Sequence, residues 1–302
     1  MITLITGITG LLGTALIQEN RNNKFIKGIY IGDYEMPNNE FIDYTICNVT
    51  NIDILFNNFQ NDKIDCIIHT AGIANTDKSE REPERAYLSN VIGTKNIIEL
   101  AHLKQAKLIY ISTNAVFDGK NPPYSEEDKP NPINRYGAIK LECESLVRKS
   151  LKNYLIVRPI LMYGLNNENE RKSFFIWVLE KLRNKERINI VNDVFENPIL
   201  SYQCADIIWK LINKDALGIY HIAGRDVLSR YEAVKVTAKV FSLDATLINP
   251  VSSNFFPNIA PRPKNTSYRT AKIEGELGVK PLGFEEGLSL FKERMFRQNK
   301  DF

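Results

Sequence analysis

A glycine-punctuated turn near the N-terminus constrains this chain more than any other feature. An apolar run over residues 2–6 leads into Gly7, Gly10 and Gly13, and residues 11–19 then carry helical spacing. Glycine lets the backbone turn tightly and approach a ligand closely, and the helix that follows presents its positive end to an anion. Strand, tight turn and helix in that order open a βαβ unit. The first half of the chain repeats the theme, with strand-like runs at 26–31, 66–70, 107–112 and 154–157. Helical stretches fall at 51–59, at 84–102 and from about 134 to 150. Strands that are apolar throughout belong to a parallel sheet covered on both faces. The expectation is an α/β protein with a Rossmann-type doubly wound parallel sheet.

After Arg158-Pro159 the rhythm loosens. Helices are expected at 174–185, 204–213, 230–241 and 285–296, and strands at 188–191 and 218–222. Residues 249–265 hold four prolines and almost no periodicity, which reads as an irregular loop across a site. The expected organisation is a dinucleotide-binding domain over 1–163, with 200–224 returning to it. Residues 164–199 and 225–302 then form a smaller, discontinuous C-terminal α/β substrate domain.

Composition excludes several classes. At 302 residues the chain suits one large or two small domains. Its 39 Lys and Arg against 36 Asp and Glu leave a net charge of +3, with no footprint for nucleic acid. No apolar run approaches the ~18 residues of a membrane span. Residues 1–6 enter the glycine turn directly and read as a strand, not a signal peptide, so a cytoplasmic protein is expected. Cys47, Cys66, Cys143 and Cys204 are widely spaced and make no metal pattern with His69, His102 and His221. Buried thiols and no metal site are expected.

The chemistry lies downstream. Tyr136 and Lys140 form a Tyr-x-x-x-Lys pair, which on a helix shares one face, one turn apart. A free phenol has a pKa near ~10, and a neighbouring ammonium lowers it toward neutrality. The Thr113 hydroxyl is suited to hold a substrate oxygen. Asp33 lies 20 residues beyond Gly13, where a carboxylate accepts from the adenosine ribose and repels a 2′-phosphate. Taken alone, each motif also fits a plain role: an ordinary tight turn, a turn aspartate after Gly32, a solvated helix face. Taken in this order they read as a nicotinamide-dependent enzyme in which Tyr136 moves a proton, with NAD(H) preferred and NADP(H) possible.

Beyond these motifs stand His69–Gly72, Asp77–Glu84 leading to Asn90–Gly93, Ser112–Gly119, Pro122–Asp128, Arg158–Gly164 and Arg262–Asn265. With them the chain resembles, over its whole length, the extended short-chain dehydrogenase/reductase superfamily. Within it the chain is most similar to the dTDP-4-dehydrorhamnose reductase family, which includes the regulatory β-subunit of methionine adenosyltransferase. The resemblance implies Thr113, Tyr136 and Lys140 as catalytic residues. Around the cofactor it implies Gly7, Ile8, Thr9, Gly10, Leu11, Leu12, Asp33, Asn48, Val49, Thr70, Ala71, Gly72, Pro159 and Ile160. For the sugar nucleotide it points to Ala74, Thr76, Asn114, Leu161 and Arg262, beside Thr113.

Departures narrow the chemistry. Sugar-nucleotide dehydratases carry an Asp-Glu pair directly after the catalytic threonine, where this chain has Asn114-Ala115, so elimination has lost its acid and base. The catalytic cysteine of fucose synthase-like enzymes is absent there too. Leu161 replaces a tryptophan that stacks on the deoxysugar, and Ala15 replaces a glutamate that binds a dimer-bridging metal. The expected function is reduction of a nucleotide-linked 4-keto-6-deoxy sugar. Two alternatives stay open: a nucleotide-sugar 4-epimerase with tightly bound NAD, and a non-catalytic nucleotide-binding regulatory subunit. The resemblance also implies a homodimer through residues 84–103 and 134–150, without a bridging metal.

Overall fold

The computed structural model describes residues 1–165, 172–256 and 260–297. The parts of the expected substrate domain and proline-rich loop at 166–171, 257–259 and 298–302 lie outside the described residues. The chain begins β1 (Ile2–Thr6), α1 (Leu11–Gln18), β2 (Phe25–Tyr30), β3 (Ile42–Ile46), α2 (Ile52–Phe59) and β4 (Cys66–His69). It continues α3 (Thr76–Arg81), α4 (Pro83–Tyr87), α5 (Gly93–Lys104), β5 (Lys107–Ile111), α6 (Arg135–Ser150) and β6 (Tyr154–Pro159). Next come β7 (Met162–Tyr163), α7 (Phe174–Arg183), β8 (Ile188–Val191), β9 (Phe195–Glu196), β10 (Ile199–Leu200) and α8 (Ser201–Asn213). The last elements are β11 (Gly218–Ile222), β12 (Leu228–Ser229), α9 (Arg230–Val240), β13 (Ile248–Val251), α10 (Ala271–Leu277) and α11 (Phe284–Arg297).

Seven strands form one parallel sheet in the order β3-β2-β1-β4-β5-β6-β11. Successive residues of a strand point to opposite faces, so an all-apolar strand feeds two cores at once. Leu4, Ile67, Leu108 and Ile156 enter a core with Leu55 and Phe59 of α2, Ile97 of α5, and Ile139 and Val147 of α6. Their neighbours Ile5, Ile68, Ile109 and Leu155 enter the other core with Leu16 of α1 and Ile208 of α8. The Trp209 indole donates to the Leu16 carbonyl at 3.0 Å and pins α8 to α1. Each buried Leu or Ile contributes about 1.5–3 kcal/mol, so these two layers dominate the stability. A third core joins Val178 and Leu182 of α7, Ile188 and Ile190 of β8, Val234 and Ala238 of α9, and Ile248 of β13.

Several elements depart from the expected pattern, among them α10 and the two-residue strands β7, β9, β10 and β12. β3 carries half-exposed residues at the sheet edge, so its apolar signal is weak. α3 is a polar six-residue helix with no apolar stripe to mark it in the sequence. The single helix expected over 84–102 is α4, a π-helical turn at Leu88–Ile92, and α5. The stretch read as an irregular loop from 249 begins as β13, paired in parallel with β8 only. A sheet of two strands is all edge, which is where Pro250 is tolerated. Among the described residues no helix is long and apolar enough to cross a membrane, and the four cysteines are buried and free.

Candidate active site

The sheet reverses its strand order between β1 and β4, and the loops leaving these strands open a crevice at their C-terminal ends. Gly7 has φ +67°, and a Cβ there would meet Thr70 Oγ1 at 2.8 Å and the Ala71 backbone at 2.9 Å. The two loops thus touch backbone to backbone. Thr70 Oγ1 donates to the Thr6 carbonyl at 2.6 Å, and the Ala71 amide donates to Thr6 Oγ1 at 3.1 Å. His69 Nδ1 lies 2.8 Å from Thr6 Oγ1, and its Nε2 lies 3.2 Å from Thr94 Oγ1. Burial, aided by Lys140, pushes that imidazole down to about 3, so it is neutral and structural. Gly10 caps α1 with no side-chain oxygen, leaving the positive helix end for an anionic ligand.

One cleft of about 1790 Å³ runs along this end of the sheet. It gathers Gly7, Thr9, Gly10, Leu11, Leu12, Asn48, Val49, Thr70, Ala71, Gly72, Pro159 and Ile160 on one side. It also takes in Thr113, Tyr136 and Lys140, with Ala74, Thr76, Asn114, Leu161 and Arg262. Two expected residues stand outside it. Ile8 is fully buried beneath the turn, and Asp33 is exposed, while Gly32 and Tyr34 form the wall. The connection over residues 31–41 nevertheless holds Asp33, Glu35 and Glu40 and no Lys or Arg. Nearby Lys27 is engaged at 3.1 Å by both Asp43 and Asp62. Among the described residues lining the cleft, Lys78, Arg85, Lys140, Arg230, Arg262 and Lys264 are cationic, and Glu196 is the one carboxylate. Four of these cations are paired with carboxylates: Arg85 with Glu82, Arg230 with Glu196, Arg262 with Asp77 and Lys264 with Asp193.

Helix α6 sets the reacting groups. Asn134 caps it, accepting from the Gly137 amide at 2.9 Å. A Cβ at Gly137 would lie 2.0 Å from the Ala115 carbonyl, so only glycine lets the helix press against the Thr113 loop. Tyr136 therefore reaches Thr113 and hydrogen-bonds it. Burial pushes the phenol up to about 12 against the lowering effect of that bond. This corrects the expectation that Lys140 brings the phenol down toward neutrality. Lys140 Nζ instead donates to the Ile111 carbonyl at 2.5 Å and sits 4.3 Å from the Tyr110 ring centroid. Burial lowers its own pKa to about 8. At neutral pH the site thus presents a protonated phenol and an ammonium, a pair that can donate a proton to an alkoxide.

Behind them lies a buried ion pair. Ser112 Oγ donates to Glu144 Oε1 at 2.5 Å, and Arg158 donates to the same carboxylate at 2.8 and 2.6 Å. Both charged side chains are 2% exposed. They tie β5, α6 and β6 together one helical turn below Lys140.

The C-terminal half adds residues that sequence reasoning missed. Asn114 Nδ2 donates to Glu196 Oε1 at 2.9 Å and to Thr266 Oγ1 at 2.6 Å. Arg230 pairs with Glu196 Oε2 at 2.8 Å and lies over the Phe174 ring, 5.2 Å from its centroid. Phe174 stacks on Trp177 with centroids 6.1 Å apart, and both line the cleft. Arg262, expected at the sugar nucleotide, lines the cleft while bonded to Asp77 at 2.9 Å and to the Ala260 carbonyl at 2.7 Å. Asn90 enters from the π-helical turn, a local distortion frequent at functional sites. Only Asn90 had a local signal, its place in an Asn-x-x-Gly motif. Glu196 sits on a two-residue strand that no periodicity marks.

The model of the RmlD substrate binding domain matches residues 1–296, so the chain belongs to that family. It is 30% identical over 283 residues to methionine adenosyltransferase 2 subunit beta of Xenopus tropicalis, covering 91% of this chain and 82% of that protein. It is 28% identical over 298 residues to dTDP-4-dehydrorhamnose reductase of Aggregatibacter actinomycetemcomitans, covering 94% and 96%. Among solved structures, dTDP-4-dehydrorhamnose reductase of Bacillus anthracis in complex with NADP superposes with a TM-score of 0.85 at 29% identity, covering 97% of this chain and 99% of that one.

Proposed function

We propose that this member of the RmlD substrate binding domain family is an NAD(P)H-dependent reductase of a nucleotide-linked 4-keto-6-deoxy sugar. One observation carries the reading: Thr113, Tyr136 and Lys140 meet, buried, in the same cleft as the glycine turn. In this reading residues 1–163 and 200–224 hold the coenzyme, and 164–199 and 225–302 hold the sugar nucleotide. The glycine turn, the uncapped end of α1 and the roomy cleft fit a dinucleotide, and a reduced nicotinamide bound there would supply the hydride. Gly7, Ile8, Thr9, Gly10, Leu11 and Leu12 form its phosphate turn, and Asn48, Val49, Thr70–Gly72, Pro159 and Ile160 line its remaining length.

Thr113 orients the ketone oxygen, Tyr136 gives its proton to the alkoxide, and Lys140 would hold the ribose of the nicotinamide. The high phenol pKa suits reduction, because the donor stays loaded throughout the neutral range. NADH is the preferred coenzyme, since the 31–41 connection offers carboxylates and no cation to a 2′-phosphate. The Bacillus anthracis relative was solved with NADP, so both coenzymes enter the test. The assay is oxidation of NADH and NADPH with dTDP-, GDP-, UDP- and CDP-linked 4-keto sugars. Turnover with one of them is expected, and none with any would overturn the reading. Epimerisation without added coenzyme, with NAD co-purifying, would favour a 4-epimerase.

The Xenopus relative's name favours a second reading, in which the chain is a subunit of a methionine adenosyltransferase. Capture of a methionine adenosyltransferase by the purified chain, with no sugar turnover, would support it. The reductase is proposed to act as a homodimer through the helices of residues 84–103 and 134–150. Ile139 and Val147 are spent on the intramolecular core, but Tyr87 and Leu88 are 40% and 50% exposed beside α6. A dimeric mass by light scattering at micromolar concentration is expected, and a monomeric mass would refute the assembly.

A further inference from the structure

Asn114 follows the catalytic hydroxyl directly and is held from across the cleft by two residues of the C-terminal half. Its amide nitrogen donates to Glu196 Oε1 at 2.9 Å and to Thr266 Oγ1 at 2.6 Å. Its carbonyl oxygen accepts from Thr113 Oγ1 at 3.3 Å. An amide can be turned end for end with little change in shape, so something must choose its orientation. An ionised carboxylate can only accept, so Glu196 requires the nitrogen of Asn114 to face it. Arg230 pairs with the second carboxylate oxygen at 2.8 Å as an ion pair, and its positive charge favours an oxygen on that side. The oxygen of Asn114 is therefore the end left for the reacting centre. An aspartate at 114 would set carboxylate against carboxylate across this contact, and the neutral amide avoids that repulsion.

We infer that Glu196, fixed by Arg230, is a positioning residue that turns the Asn114 carbonyl oxygen toward the catalytic hydroxyl and so selects ketones flanked by a hydroxyl. In the protein alone that oxygen competes with the Tyr136 phenol for the single Thr113 proton, over a long 3.3 Å contact. When a substrate ketone claims the Thr113 proton, the Asn114 oxygen is released to accept from a donor beside the ketone. A sugar hydroxyl on the adjacent carbon supplies such a donor. A substrate without it leaves a half-buried acceptor covered by the sugar and unpaired, which costs about 1–3 kcal/mol, or roughly five- to 150-fold in kcat/KM.

The selectivity rests on the reductase reading, while the orientation of the amide rests on the structure alone, and two measurements separate them. Glu196→Gln keeps the shape of the side chain but turns one oxygen into a donor. Arg230 retains the remaining oxygen, so the new amide group faces Asn114, which must turn over. In side-chain amide NMR with labelled asparagine, the Asn114 NH2 protons are expected to exchange slowly in the parent protein and at least tenfold faster in the variant. Equal exchange in both would overturn the inference, whether or not any sugar is reduced. In the kinetic arm, the parent enzyme is expected to prefer a 4-keto sugar with a 3-hydroxyl over its 3-deoxy analogue by tenfold or more in kcat/KM. Glu196→Gln should erase that preference without changing the KM for NADH. Asn114→Ala should erase it equally, and adding Glu196→Gln to Asn114→Ala should change nothing further. A preference retained in Glu196→Gln, or additive effects of the two substitutions, would overturn the inference. Absence of sugar turnover in the parent, with the amide exchanging as expected, would sink the reductase reading and leave the orientation standing.

Discussion

Replacing Lys140 by Met should make the protein catalytically poor and, at neutral pH, no less stable. The ammonium is buried and titrates at about 8 instead of its ordinary 10.5. Each pH unit between these values is worth about 1.4 kcal/mol, so charging Lys140 in the fold costs about 3 kcal/mol more than in the unfolded chain. Met removes that cost but leaves the Ile111 carbonyl without the Lys140 donor, a loss of about 1–3 kcal/mol. The net change at pH 7 is a gain of roughly 0–2 kcal/mol. The pH dependence isolates the electrostatic part, because the carbonyl loss is the same at every pH. A lysine whose folded value is lowered binds fewer protons when folded, so wild-type stability rises with pH from about 8 to 10.5. The advantage of the variant is thus complete below pH 8 and shrinks by about 2–3 kcal/mol between pH 7 and pH 10. Urea unfolding of both proteins at the two pH values reads this directly, and turnover of the sugar should fall at least about 100-fold. A stability difference that does not change with pH would refute the argument, as would a variant weaker by more than about 2 kcal/mol at pH 7.

Tyr136→Phe removes only the proton donor, so turnover should drop about 10²–10⁴-fold while coenzyme binding, followed by fluorescence titration, stays nearly intact. The parent's reductive rate should be flat from pH 6 to about 8 and decline above it as Lys140 loses its charge, since the phenol holds its proton to about 12. Comparison of kcat/KM should favour NADH, and a tenfold preference for NADPH would detach the acidic 31–41 connection from the ribose. Glu144→Ala strands the Arg158 guanidinium, 2% exposed, and should cost about 3–5 kcal/mol in urea unfolding. A loss below about 1 kcal/mol would mean that water or another acceptor relieves the buried cation.

The local part of this architecture is written in the chain. Five-residue apolar runs followed by glycine or by helical spacing fix strands that are buried on both faces, and such strands belong to a parallel sheet. Tyr136 and Lys140, four residues apart, share a helix face because 3.6 residues make a turn, whatever else the helix touches. Gly7 has to be glycine for a reason that its position after β1 already announces.

Tertiary structure alone decided the charge states and the far wall of the cleft. Lys140 donates to the Ile111 carbonyl, and burial carries Tyr136 upward, an effect no spacing encodes. Asp33 has the expected position at the end of β2 yet is exposed outside the cleft, because the turn at Gly32 sets the direction of its side chain. β11 completes the sheet beside β6 although 58 residues separate Pro159 from Gly218 in the chain. Asn114 meets Glu196 across 82 residues and Thr266 across 152. Contacts at such separations depend on how whole layers pack, and a period of two or of 3.6 residues carries no record of them.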